Sequence, residues 1–183
     1  MNFSLSEEHR MVREAARDFA QTELRPGVIQ RDTLQEFPDN LVKKMGALGF
    51  MGIMVSPKYG GSGMDTLTYA LIMEELSKVD ASASVMVSVN NSLVCYGLEA
   101  YGSDSQKEKY LPKLAAGEWI GAFCLSEPEA GSDATSQSTT AIDKGDYYLL
   151  NGTKNLGAMI FRGKSQKTPI MFGFQKLCYN KPK

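Results

Sequence analysis

The stretch FCLSEPEAGSDA, residues 123–134, lies where the pattern of the chain changes from helical to strand-like. Residues 119–126 alternate as strand residues do, which predicts a buried strand. Pro128 and Gly131 interrupt that pattern, and five side chains between Ser126 and Asp133 carry oxygen atoms. The sequence therefore predicts a strand that ends in a glycine-containing turn with a high capacity for hydrogen bonding.

Helical patterns fill the region before this stretch. Ser4 with Glu7, and Ser105 with Glu108, have the spacing of capping boxes at helix starts. Pro26-Gly27 predicts the end of the first helix.

Further helix signals follow Pro26-Gly27. A short helix is expected after Pro38, and Asp65 is the predicted N-cap of a later helix with Leu67 on its inner side. The small residues of 81–102 favour a buried helix over a strand, and Gly117 is expected to close the last helix.

The region after residue 134 predicts a β-hairpin. Residues 138–154 indicate two strands around a Lys-Gly turn, with Asn151-Gly152 starting another turn. The fold class is therefore predicted as α+β. The predicted segments are an α-helical domain at 1–118, the start of a β-domain at 119–155 and an unassigned tail at 156–183.

Composition narrows the functional class. The 183 residues carry a net charge of −1, so we expect no nucleic-acid or membrane partner. The charge is uneven, because residues 156–183 hold six basic residues and no acidic one. Cys95, Cys124 and Cys178 lack ligand spacing and are expected to be buried free thiols in a cytoplasmic protein without metal. The single histidine, His9, is interpreted as a surface residue.

The turn at 123–134 suits a bound heterocycle. Gly131 permits close approach of the backbone, and Ser132 adds a hydroxyl for a phosphate. A plain surface turn has the same composition. However, LSEPEAGSDA resembles the flavin-binding signature of the acyl-CoA dehydrogenases. PKYGGSGMD before it and GDYYLLNGTKN after it resemble the same family, in the family's order, over residues 3–155.

The resemblance implies an FAD site. It places Phe123, Cys124, Leu125 and Ser126 along the isoalloxazine ring, with the Ser126 hydroxyl near N5. It places Gly131 and Ser132 at the FAD pyrophosphate, with Ser132 also beside the acyl-CoA thioester. The implied reaction is the α,β-dehydrogenation of a short-chain acyl-CoA to the trans-2-enoyl-CoA. Within the family, the sequence is most similar to the butyryl-CoA type. An electron-transferring flavoprotein would accept the electrons, and family members are usually homotetramers.

The chain departs from the family after Asn155. The expected W-I-T-N-G motif is absent, and family members are about twice as long, with a catalytic glutamate in a C-terminal domain. No catalytic residue is therefore assigned, and the chain is expected to be a truncated, inactive and weakly stable form that retains FAD poorly. Residues 156–183 are interpreted as a frameshifted or foreign end, or alternatively as a divergent strand and linker.

Two other functions remain open from the sequence. The chain can be a non-catalytic helical module with residual FAD or CoA binding, or one that dimerises. An oxygen-using acyl-CoA oxidase has the same signature, so the sequence does not separate it from a dehydrogenase.

Overall fold

The computed structural model describes residues 4–36, 38–155 and 177–180, the last four as backbone only. The chain divides into two compact units, Met1–Trp119 and Ile120–Lys183. The first unit is helical and the second contains a small antiparallel sheet, which confirms the α+β class. The finer division into 1–118, 119–155 and 156–183 stays a prediction.

Seven α-helices occupy the described part of the first unit. They are α1 Glu7–Phe19, α2 Val28–Leu34, α3 Asp39–Ala47, α4 Thr66–Ser77, α5 Ala81–Ser88, α6 Tyr96–Tyr101 and α7 Asp104–Ala115. The π-helical segment Ala20–Leu24 extends α1, and Val89–Cys95 joins α5 to α6. Short 3₁₀ turns lie at Phe50–Gly52, Pro57–Tyr59 and Ala134–Ser136.

Both predicted capping boxes were wrong by two residues. The N-cap of α1 is Ser6, whose hydroxyl accepts from the backbone N–H of His9 at 3.1 Å. The N-cap of α7 is Ser103, whose hydroxyl accepts from the N–H of Gln106 at 3.3 Å. A helix is capped by the serine whose backbone is extended at the helix start. The spacing between serine and glutamate in the sequence does not reveal which serine that is.

Other local predictions had mixed outcomes. Asp65 caps α4, accepting from the N–H of Thr68 at 2.7 Å, and Gly117 ends α7 with a φ of +68°, both as predicted. Leu67 is 46% exposed rather than inward-facing, and α2 was not predicted at all. His9 contacts the carboxylate of Asp65 at 3.2 Å, so this surface histidine joins the start of α1 to the start of α4.

The helical unit is held together by its own buried side chains. Helix α1 packs on α4, and α4 packs on α5. A second cluster forms between α7, the 57–59 turn and the 89–95 segment. Its buried members are Val55, Tyr59, Cys95, Leu111, Leu114 and Ala115.

A buried carboxylate joins α1 to α4. Glu75 is 3% exposed and contacts Arg13 at 2.7 Å, Arg17 at 3.1 Å and Lys78 at 3.1 Å. Hydrogen bonding by Arg17, supported by Arg13 and Lys78, outweighs the desolvation of the carboxylate and lowers the pKa of Glu75 to about 2. The charge is thus compensated where it is buried.

A buried asparagine supports the irregular segment after α3. Asn91, in the π-helical segment, accepts from the N–H of Ile53 at 2.7 Å and donates to the carbonyl of Phe50 at 2.9 Å. These bonds satisfy backbone groups that no regular element pairs.

The second unit begins without the predicted strand at 119–126. None of the described strands includes or pairs with residues 119–126, so the segment lacks the ladder pairing that defines a strand. The prediction of a buried strand there was wrong.

The sheet consists of the strands β1 Thr140–Asp143, β2 Tyr147–Asn151 and β3 Leu177–Asn180. Their order is β1-β2-β3, with both pairs antiparallel. Strands β1 and β2 form the predicted hairpin around Lys144-Gly145, where Gly145 has a φ of +89°. The turn predicted to start at Asn151-Gly152 falls where β2 ends, at Asn151. Strand β3 lies in the predicted tail and pairs with β2, so this segment contains a strand whatever its origin.

Candidate functional site

All six predicted cofactor residues lie in one continuous segment of the second unit. At its centre, residues 127–130 form a tight turn. The N–H of Glu127 donates to the carbonyl of Ala130 at 3.0 Å, and the N–H of Ala130 donates back to the carbonyl of Glu127 at 3.1 Å. The two predicted groups, 123–126 and 131–132, are thereby placed on the two arms of one turn.

The arm before the turn exposes apolar surface. Phe123 is 39% exposed and Leu125 is 41% exposed. Cys124 is an exposed free thiol, so the prediction of a buried thiol was wrong for this residue, whereas Cys95 is buried as predicted. Cys178 lies outside the residues whose side chains are described. Two large apolar side chains so close in sequence and still accessible are suited to cover a planar ligand.

Much of the segment's hydrogen-bonding capacity is unused within the described chain. Among the described residues, Phe123, Cys124, Gly131 and Ser132 have no protein hydrogen-bond partner, and neither has the hydroxyl of Ser126. A Cβ added to Gly131 would have no neighbouring atom within 4 Å, so the space beside its backbone is open. N–H groups, hydroxyls and open space at a glycine are what a phosphate-bearing ligand requires.

The last two carbonyls of the first arm, in contrast, are occupied. The carbonyl of Leu125 accepts from Lys154 Nζ at 2.9 Å and from Gln137 Nε2 at 3.1 Å. The carbonyl of Ser126 accepts from the N–H of Asn155 at 2.9 Å. The carbonyls of Leu125 and Ser126 therefore face protein partners, whereas the N–H groups of these two residues have no partner among the described residues.

Ionised side chains in this unit have structural partners. Glu127 is buried, and hydrogen bonds led by that from Lys154 hold the pKa of its carboxyl far below the usual range. Asp133 accepts from Thr135 and Ser136, which lowers its pKa as well. Such carboxylates are poor proton acceptors at neutral pH, so neither is suited to be a general base.

The segment fits a flavin nucleotide. Apolar side chains can cover the ring, free N–H groups and hydroxyls can meet its polar edge, and the open glycine can admit a pyrophosphate. The described residues contain no cluster of potential metal ligands. Over the same residues, no helix has the length and apolar character that a bilayer crossing requires.

Comparison with known proteins establishes the family. The model of the acyl-CoA dehydrogenase N-terminal domain matches residues 6–118, so the chain belongs to the acyl-CoA dehydrogenase family. This confirms the resemblance found in the sequence motifs.

Individual relatives agree with this family. A short-chain specific acyl-CoA dehydrogenase of Clostridium acetobutylicum is 45% identical over 154 residues, which are 84% of this chain and 41% of the relative. The butyryl-CoA dehydrogenase structure from Megasphaera elsdenii matches with a TM-score of 0.80 at 38% identity, over 86% of this chain and 42% of that chain. An acyl-CoA dehydrogenase of Bacillus anthracis complexed with FAD matches with a TM-score of 0.79 at 35% identity, over 84% and 27% of the two chains. This chain thus spans about two-fifths of the length of the Clostridium and Megasphaera proteins.

Sequence reasoning missed the residues that hold the segment in place. Gln137 and Lys154 contact the segment, and Glu127, within it, binds Lys154. None of the three was assigned a role. A glutamate between Ser126 and Pro128 suggests a polar surface turn, whereas the fold buries it. Its partners lie 11 to 27 residues away, and no local pattern reports such contacts.

Proposed function

We propose that this chain is the FAD-binding part of a short-chain acyl-CoA dehydrogenase. Phe123, Cys124, Leu125 and Ser126 would lie along the isoalloxazine ring. Gly131 and Ser132 would contact the pyrophosphate, and Ser132 would also contact the acyl-CoA thioester. Bound FAD supplies the two-electron acceptor for the β-hydride of a short-chain acyl-CoA such as butyryl-CoA.

One observation carries this proposal. The segment that matches the family's flavin signature presents exposed Phe123 and Leu125 together with unpartnered groups at Gly131 and Ser132. Exposure alone does not distinguish this segment, because other large apolar residues of the chain are more exposed. What supports a ligand is that Phe123 and Leu125 lie on the same turn as unpartnered N–H donors and the open backbone of Gly131.

The chain's own residues would bind and orient. The backbone of 123–126 and the Ser126 hydroxyl would donate hydrogen bonds to the polar edge of the ring near N5, where negative charge develops as hydride arrives. The open backbone at Gly131 would let the pyrophosphate approach the N–H groups. The side chains of Phe123 and Leu125 would exclude water from the ring.

Proton abstraction requires a group outside this set. The resemblance places the glutamate base in a C-terminal domain, and no glutamate of the 183 residues corresponds to it. We propose that these residues alone do not dehydrogenate acyl-CoA, and that the electron-transferring flavoprotein and the tetramer belong to the whole protein. A non-catalytic module with residual FAD or CoA binding is the second candidate, favoured by the lack of a suitable base among the described residues.

Two measurements on the purified chain test this proposal. FAD is titrated and its fluorescence followed, and dye-linked oxidation of butyryl-CoA is assayed with FAD present. We expect fluorescence quenching without turnover. Phe123→Ala should weaken FAD binding, whereas Ile142→Ala, which removes a similarly exposed apolar side chain from β1, should not.

Each contrary outcome has a distinct meaning. Turnover by the 183 residues would refute their inactivity. Absence of quenching at millimolar FAD would refute the assignment of the cofactor site.

A further inference from the structure

A buried ion pair joins the candidate cofactor segment, residues 123–132, to the end of the hairpin. Lys154 Nζ contacts Glu127 Oε1 at 2.8 Å, with 15% and 2% of the two side chains exposed. Residues so thoroughly removed from water are rarely ionised without a specific partner. The function proposed above uses neither residue.

Glu127 gathers further donors from the strand side of the turn. Its carboxylate accepts from the N–H of Ser138 at 2.6 Å, from the Ser138 hydroxyl at 3.1 Å and from the N–H of Thr139 at 3.2 Å. Ser138 and Thr139 immediately precede β1. The carboxylate therefore ties the turn to the start of the hairpin.

Lys154 ties the same turn to the end of the hairpin. Its ammonium group also donates to the carbonyl of Leu125 at 2.9 Å, and the next residue, Asn155, donates its N–H to the carbonyl of Ser126 at 2.9 Å. Three successive residues of the segment, 125–127, are thus held by residues 154–155.

These contacts reach the backbone acceptors of Leu125 and Ser126 and leave the N–H donors of the same two residues free. Leu125 and Ser126 offer their carbonyls to Lys154 and Asn155, while their N–H groups have no protein partner among the described residues. A backbone held in one conformation before ligand arrives loses less entropy on binding. A loose arm with the same sequence would bind more weakly.

We propose that Glu127 and Lys154 are positioning residues for FAD. Together they form a clamp that holds the backbone of residues 125–127 on the hairpin and so positions the arm 123–126 for the ligand. This inference rests on the proposed function, since it assumes that the segment binds FAD. The clamp acts through the backbone and does not touch the cofactor.

The test uses charge-removing substitutions in the 183-residue chain. Glu127→Gln keeps the size but loses the charge and replaces one acceptor oxygen with an NH2 donor, and Lys154→Met keeps most of the stem. Matched controls are Glu129→Gln, an exposed carboxylate of the same turn, and Lys144→Met, an exposed lysine of the same hairpin. Far-UV circular dichroism confirms that the helical unit is folded in each.

Without FAD, amide hydrogen exchange reports the clamp itself. We expect the amides of Ser138, Thr139 and Asn155 to exchange at least tenfold faster in Glu127→Gln and Lys154→Met. Amides in α4 should be unaffected, and the controls should match the unaltered chain within twofold. Unchanged exchange at all three amides would overturn the clamp.

With FAD, affinity and spectrum report positioning. Each clamp variant should raise the dissociation constant of FAD at least tenfold, and the visible circular dichroism of the bound flavin should change at saturation. Lys154→Arg, which keeps the positive charge, should bind FAD with a dissociation constant within threefold of that of the unaltered chain. The double variant should lose less affinity than the sum of the two single losses, because each single variant already breaks the ion pair.

Failure of the inference and failure of the proposed function give different results. If the unaltered chain binds FAD and the clamp variants bind it equally well with the same flavin spectrum, Glu127 and Lys154 are structural only. If the unaltered chain binds no FAD, the proposed cofactor site fails and the positioning role fails with it, whatever the exchange rates show.

Discussion

The helical unit and the strand-bearing unit differ in what their side chains do. In the first, α1, α3, α4, α5 and α7 each contribute buried residues. In the second, Ile120, Gly121, Glu127 and Ala130 are the buried residues of 120–155, and none belongs to a strand. The four residues of β1 are all exposed. The helical unit is therefore stabilised by apolar burial, whereas backbone pairing and one buried ion pair order the other.

This difference in burial affects both the stability and the exposed surface of the second unit. A three-stranded sheet with little burial is marginally stable on its own. The same lack of burial leaves Phe123 and Leu125 accessible. The proposed function gives this exposure a use, because a bound flavin would cover both side chains.

The strongest way to break the comparison is to truncate a leucine in each unit. Leu114 is 1% exposed and Leu125 is 41% exposed. Leu114→Ala should lower the free energy of unfolding by about 2–5 kcal/mol through lost burial and a cavity. Leu125→Ala should change it by less than about 0.5 kcal/mol. Urea unfolding followed by circular dichroism measures both, and equal losses would contradict the contrast.

The buried carboxylate of the helical unit provides a pH test. The pKa of Glu75 falls from 4.5 to about 2 on folding, so its contribution is complete above pH 4.5 and is lost as the pH falls toward 2. Glu75→Gln should cost about 2 kcal/mol at pH 7, after allowance for the exposure of Arg17 and Lys78, and almost nothing near pH 2.

Chemical unfolding of the helical unit at several pH values measures this dependence. Glu14→Gln, at an exposed position of α1, is the control and should leave the pH profile unaltered. A constant difference between Glu75→Gln and the unaltered chain from pH 7 to pH 2 would show that the carboxylate is not held ionised.

Two glycines sharpen the comparison of packing. A Cβ on Gly46 would overlap the carbonyl oxygen of Ala116, whereas one on Gly131 would meet nothing within 4 Å. Gly46→Ala should therefore lower the unfolding temperature, at a cost of about 1–3 kcal/mol. Gly131→Ala should leave it unchanged while weakening FAD binding. Similar melting temperatures for the two variants would show that α3 can move away from Ala116.

The smallest expected effect tests a cap. Ser103→Ala should destabilise the helical unit by about 1 kcal/mol, because the N–H of Gln106 loses its acceptor. Ser105→Ala, two residues further on, should cost less than half as much. The ratio of the two losses, from urea unfolding, decides whether the box is centred on Ser103. A larger loss from Ser105→Ala would place the cap where the spacing of Ser105 and Glu108 predicted it.

Features set by neighbouring residues were predictable. The cap at Asp65, the end of α7 at Gly117 and the hairpin at Lys144-Gly145 each depend on a few adjacent residues. The position of the six candidate residues on one turn was also predictable, because they are consecutive or nearly so. The exposure of Phe123 and Leu125 was not, because alternation reveals a possible strand but not whether a partner strand exists.

By itself, the sequence determined the family, the order of helices before hairpin and the segment that matches the flavin signature. Such features follow from local conformational preferences and from the residues of short sequence motifs. Only the tertiary structure decided that Glu127 is buried against Lys154, that Glu75 joins α1 to α4 and that Phe123 and Leu125 are exposed. The physical reason is distance along the chain: burial and ion pairing depend on residues that folding brings together from far apart.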